Sequence, residues 1–126
     1  MLPPPPIERG FFGASAEGVT SGEMALRLSG NADMNIRPDL HAFLLDVHGT
    51  ATAAKIVDVT VDCRALEFMN SSCLQSVAFW IQQVLEVPEE RRYRVKFLAS
   101  SKRFWQRRSL SAIARFADGT VEIEYS

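Results

Sequence analysis

Residues 57–77 read VDVTVDCRALEFMNSSCLQSV, and this stretch decides the fold. Together with Ile56, its first part (residues 56–62) is β-branched and mostly apolar, the composition of a strand covered on both faces in the middle of a sheet. Residues 63–70 read as a connection. Beyond them Leu74, Val77, Ala78, Ile81, Val84 and Leu85 fall on one stripe at helical spacing, and Pro88 ends that helix. Asn70 or Ser71 suits its N-cap, because a short side-chain oxygen there accepts from the free N–H groups of the first turn.

Working outward, the same two periods recur. Before the central strand, Met24, Leu26 and Leu28 alternate with Glu23, Ala25, Arg27 and Ser29, which reads as a half-buried strand over residues 23–30 behind a Gly and Ser segment. Pro38 and Asp39 suit the first turn of a helix whose stripe is Leu40, Phe43, Leu44 and Val47, with Gly49 as its stop. After Pro88, Tyr93, Val95 and Phe97 alternate with Arg94 and Lys96 in another strand. Leu110, Ile113, Ala114 and Ala117 mark a third helix within residues 102–117, and Asp118-Gly119 turns the chain into an edge strand, 121–125. Strands alternating with helices imply crossover connections, hence an α/β fold with a mostly parallel sheet carrying helices.

Composition bounds the function. A chain of 126 residues fits one domain, here residues 1–126, with residues 1–9 as an extended, poorly ordered Pro-rich arm around Pro3 to Pro6. No apolar run reaches the roughly 18 residues of a membrane span, and the N-terminus lacks the pattern of a secretory signal, which points to the cytosol. Cys63 and Cys73 are too few for a disulfide framework and lack the companions of a zinc site, so reduced thiols and no metal or cofactor are expected. The net charge of −1 hides an uneven distribution: residues 91–115 carry nine Lys and Arg and no Asp or Glu.

The valine-rich strand followed by Asn70-Ser71-Ser72-Cys73-Leu74 at the start of an apolar helix resembles the STAS domains of bacterial anti-sigma-factor antagonists, whose motif there reads roughly D-[ST]-S-G-L. The element order from about residue 23 to 125 is similar as well. The resemblance implies a mixed β-sheet with helices packed mainly on one face, and a domain with no catalytic activity of its own. Its partner would be an ATP-dependent serine kinase that doubles as an anti-sigma factor, and a cognate phosphatase would reverse the modification. Carried over, Ser71 is the phosphoacceptor and Ser72 stands beside it at the helix start. Two positions depart from the motif, Asn70 for the acidic residue and Cys73 for the glycine.

A helical wheel with Leu74, Ala78 and Ile81 toward the sheet turns Ser72, Ser76, Phe79 and Gln83 outward. Ser76 and Phe79 from the wheel, and Asn70 and Cys73 from the motif the resemblance rests on, are the expected partner-binding residues, with Phe79 as an exposed anchor. Rival functions find less support. Ser71, Ser72 or Cys73 with His41 or His48 would make a nucleophile and base, but no G-x-S-x-G elbow is present and the histidines read as solvated. No phosphate-binding glycine motif follows any strand. Asp58 and Asp62 share a strand face without forming an acid and base pair. The basic stretch with Trp105 suits an anionic partner, although Glu86, Glu89 and Glu90 nearby weigh against nucleic acid. A scaffold role without phosphorylation fits the same surface, and the edge strands and Phe79 equally suit a homodimer.

Overall fold

The computed structural model describes residues 3–126. Within them the chain runs β1 (Ile7–Arg9), β2 (Phe12–Thr20), β3 (Glu23–Ala32), α1 (Arg37–Ala53), β4 (Asp58–Met69), α2 (Ser71–Glu86), a 3-10 turn (Glu89–Arg91), β5 (Arg94–Ala99), α3 (Phe104–Phe116) and β6 (Val121–Tyr125). The six strands lie side by side in chain order; β1, β2 and β3 are antiparallel, and β3 to β6 are parallel. Right-handed crossovers along an order that never reverses leave every helix on the same face. Burial agrees: Met24, Leu26 and Leu28 of β3 and Val95, Phe97 and Ala99 of β5 are buried, while Glu23, Arg27 and Arg94 between them are exposed. The expected mixed α/β sheet with helices on one face is what forms, with β4 at its centre.

Three local expectations need correction. The Pro-rich arm is not free: Pro4 is buried and Ile7 to Arg9 pair with β2, while Arg9 bonds Asp39 of α1 at 2.7 Å; Met1 and Leu2 lie outside the described residues. Helix α1 does not stop at Gly49, because Ala51 extends its buried stripe by one more turn before Lys55 takes the left-handed conformation at φ 56°. Residues 63–69 are not a connection but the second half of β4. Two register shifts against β3 each insert one extra residue, so the inward positions run Cys63, Leu66, Met69 at a period of three. A strand with that period shows no alternation to read.

The core holds a polar relay. Tyr93 is buried, and its oxygen lies 3.0 Å from Trp80 Nε1 and 2.7 Å from Nδ1 of half-buried His48. An indole N–H can only donate, so the single Tyr93 proton goes to His48 Nδ1, which must be unprotonated. Burial holds the His48 imidazole below its ordinary range, opposed by the Glu86 carboxylate. A depressed folded-state value makes this contribution to stability complete above about pH 6.5 and lost as pH falls below it. We expect the denaturation midpoint to decline between neutral pH and mildly acid pH, and His48→Asn, whose amide oxygen can accept the same proton, to flatten that decline. Urea titrations of both proteins across that range check it; equal slopes would contradict the relay.

Candidate functional site

The end of β4 and the start of α2 form the site. Met69 pairs with Ala32, and the Asn70 N–H donates to the Ala32 carbonyl at 2.9 Å, which fixes where the helix begins. Asn70 is the N-cap: its Oδ1 accepts from the Cys73 N–H at 3.0 Å and from the Ser72 hydroxyl at 2.8 Å. An amide thus does the capping that the motif assigns to a carboxylate. Ser71, the first helical residue, is exposed, and its hydroxyl makes no hydrogen bond among the described residues. The two serines are therefore not equivalent.

Cys73 is wholly buried, with its thiol 3.3 Å from the Asp33 carbonyl. Its side chain points inward, so Cys73, expected among the partner-binding residues, presents no surface to a partner. Burial is the main cause of the raised Cys73 pKa, with the Asp33 charge adding to it, and burial pushes the Cys63 thiol up to about 12. Neither is poised as a thiolate nucleophile.

Ser76 corrects the helical wheel. It is buried, and the inward residues of α2 are Cys73, Ser76, Val77, Trp80, Ile81 and Val84, whereas Leu74, Ala78 and Leu85 are only half-buried. The helix packs against α1 as well as the sheet, so its buried arc is rotated toward α1. His41 of α1 meets Ser76 there, Nδ1 to Oγ 3.3 Å, and its ring lies tilted against Phe79 with centroids 5.1 Å apart. Neither histidine is simply solvated, and His41 reaches Ser76 rather than Ser71 or Ser72. Phe79 stays 40% exposed, as its position on the wheel suggests.

A groove of about 470 Å³ opens beside these residues, lined among others by Arg37, His41, Ser76, Phe79, Gln82 and Phe116. Arg37 and Phe116 escape the reading of the sequence, and His41 enters it only as a base or a solvated side chain. The spacing of Arg37 and His41, four apart, puts them on one helix face, but only the packing of α1 on α2 shows which face.

Several residues of the basic stretch are engaged locally. Arg94 pairs with Asp58, Lys96 with Glu122 and Glu124, Arg92 binds the Leu85 and Val87 carbonyls, Arg107 lies over the Tyr125 ring, and the Trp105 indole donates to the Glu67 backbone carbonyl. Asp62 is held below the usual carboxylate range chiefly by its hydrogen bond from Arg64. Both aspartates of β4 are thus occupied in ion pairs on the open face. Among the described residues no cluster of three or more His, Cys, Asp or Glu is placed to hold a metal ion, and no helix is long and apolar enough to cross a membrane.

No protein-family model matches the chain, and no curated protein matches it. Solved structures do match. An anti-sigma factor antagonist from Mycobacterium paratuberculosis is 18% identical with a TM-score of 0.61, over 88% of this chain and 85% of that one. The anti-sigma factor antagonist SpoIIAA in its unphosphorylated form is 20% identical with a TM-score of 0.57, over 90% and 89%. The Bacillus cell fate determinant SpoIIAA in its phosphorylated form is 18% identical with a TM-score of 0.57, over 88% and 90%. The fold is that of the STAS-type anti-sigma factor antagonists.

Proposed function

Taking that shared fold as the premise, we propose that the protein is a non-catalytic docking module of a bacterial regulatory switch. Its partner, a serine kinase of the anti-sigma-factor type, meets the start of α2, and phosphorylation of Ser71 releases it until a phosphatase acts. The observation that carries this reading is the contrast between the two serines: Ser71 offers an exposed, unengaged hydroxyl, whereas Ser72 is tied to Asn70. SpoIIAA, a protein of the same fold, has been solved in both unphosphorylated and phosphorylated forms.

The physics suits a switch that spares the fold. A phosphate adds roughly −1.5 to −2 charges, which a helix N-terminus accommodates and an interface matched to a neutral hydroxyl rejects. Asn70 and Ser72 complete the cap without Ser71, so the helix does not depend on that hydroxyl. Phe79, on the same helix, supplies an apolar anchor.

The expected result is that Ser71→Glu keeps the wild-type melting temperature but loses its partner by at least about tenfold, a differential of about 1.4 kcal/mol, while Ser71→Ala retains it. Affinity capture from native cells with each protein, alongside intact-mass analysis of the Ser71 peptide, measures this. An unmodified Ser71 under growth and stress, with Ser71→Glu capturing the same proteins as wild type, would leave a constitutive scaffold instead.

A further inference from the structure

The groove beside α2 has a composition that selects its occupant. Its aromatic residues are Phe79, 40% exposed, and Phe116, 50% exposed. Its charged or titratable residues are Arg37 and His41, and no carboxylate lines it. Arg37 is exposed and makes no ion pair among the described residues, unlike Arg9, Arg64, Arg94 and Lys96, each of which has a carboxylate partner. Ser76 engages His41 Nδ1, so Nε2 is the imidazole nitrogen left free for a ligand, and the contact with Phe79 holds the ring in place.

We propose that this groove receives a protein segment presenting a carboxylate about one helical turn from an aromatic or aliphatic side chain. The carboxylate meets Arg37 and His41 Nε2, and the apolar side chain packs on Phe79 and Phe116. Arg37 and His41 stand four residues apart on one face of α1, so both can face a single carboxylate. The Phe79 ring lies 5.1 Å from the His41 ring, about one helical turn, which is the spacing the segment must match. A guanidinium takes a carboxylate in two parallel hydrogen bonds and gives the contact direction, while the aromatic pair supplies the area. Gln75 and Gln82 provide a polar rim. This inference rests on the docking reading above and states the chemistry of the partner's contact segment.

The test is selection of a random peptide library displayed on phage against the full, immobilised chain. Enriched peptides are expected to carry Asp or Glu three or four positions from Phe, Trp or Leu. They should bind at least about tenfold more weakly to Phe79→Ala and to Arg37→Glu, and as well as wild type to Phe11→Ala, which alters an exposed aromatic on the β1–β2 turn. Replacing the peptide's Glu by Lys should restore binding to Arg37→Glu. All three substituted residues are exposed, so unchanged melting temperatures show that the variants fold.

Enrichment of basic peptides, indifference to Arg37→Glu and Phe79→Ala, or a library without binders would overturn the proposal. So would a dimer by sedimentation equilibrium that Phe79→Ala dissolves, since the occupant would then be a second copy. Acidic peptides that dock as stated while Ser71→Glu captures partners normally would leave the groove standing and sink the switch. Loss of partners by Ser71→Glu with no acidic peptide bound would do the reverse.

Discussion

Gly30→Ala should lose about 3 kcal/mol of stability or more, and Gly49→Ala should gain about 0.5–1 kcal/mol. Gly30 has φ +80°, and a Cβ built there would sit 1.6 Å from the Phe11 carbonyl oxygen, with the carbonyl carbon at 2.8 Å. The obstacle is backbone, not a side chain that could swing away. That oxygen also accepts the Asn31 N–H at 2.9 Å, so moving it breaks the joint between the β1–β2 turn and the end of β3. Gly49 lies inside α1 with nothing near its Cβ position, so alanine there adds helix propensity without a clash. Urea unfolding of both variants gives the two signs. A neutral Gly30→Ala would contradict the described geometry of the hairpin.

Gln106→Leu should cost on the order of 3 kcal/mol despite its similar volume and greater hydrophobicity. The side chain is fully buried in α3; its Oε1 accepts the Ser100 N–H at 2.8 Å, and its Nε2 donates to the Cys63 and Leu66 carbonyls at 2.7 and 2.9 Å. Those carbonyls lie in the bulged half of β4, beyond Asp62 where its pairing with β5 ends, so the amide replaces hydrogen bonds that the sheet does not make there. Leucine orphans three backbone groups at once. Gln106→Glu offers a sharper variant: a carboxylate would face two carbonyls, so burial and repulsion raise its pKa and its stability falls as pH rises through the neutral range. Denaturant midpoints at acid and neutral pH measure both, and a Gln106→Leu protein as stable as wild type would remove Gln106 from this role.

Gln106 and the part of β4 that it serves also mark where the sequence was silent. The period of two in β3, β5 and β6 and the helical stripes of α1 and α3 are visible as alternation, because each of those elements presents one regular face to the core. The second half of β4 was not visible, since two inserted residues replace alternation with a period of three that no simple template matches. Gln106 looked like any polar residue on a basic helix. At the candidate site, the cap at Asn70, the exposure of Ser71 and the half-exposed Phe79 follow from local rules. The burial of Ser76 and the meeting of Arg37, His41 and Phe116 with it depend on how α1 and α3 flank α2, a relation between segments far apart in the chain. Pairwise spacing along one helix carries no record of it.

The arrangement of the strands in chain order bears on how the molecule is made. Every strand finds its sheet neighbours among the segments immediately before and after it, so none has to be threaded between two strands already in place. A nascent chain leaving the ribosome can lay down the β1–β2–β3 meander first and then add one helix and one strand at a time, each new edge serving as the template for the next. Until β5 arrives, β4 is itself such an edge, and a truncated chain ending after α2 would present its unpaired ladder of N–H and C=O groups to any other strand in solution.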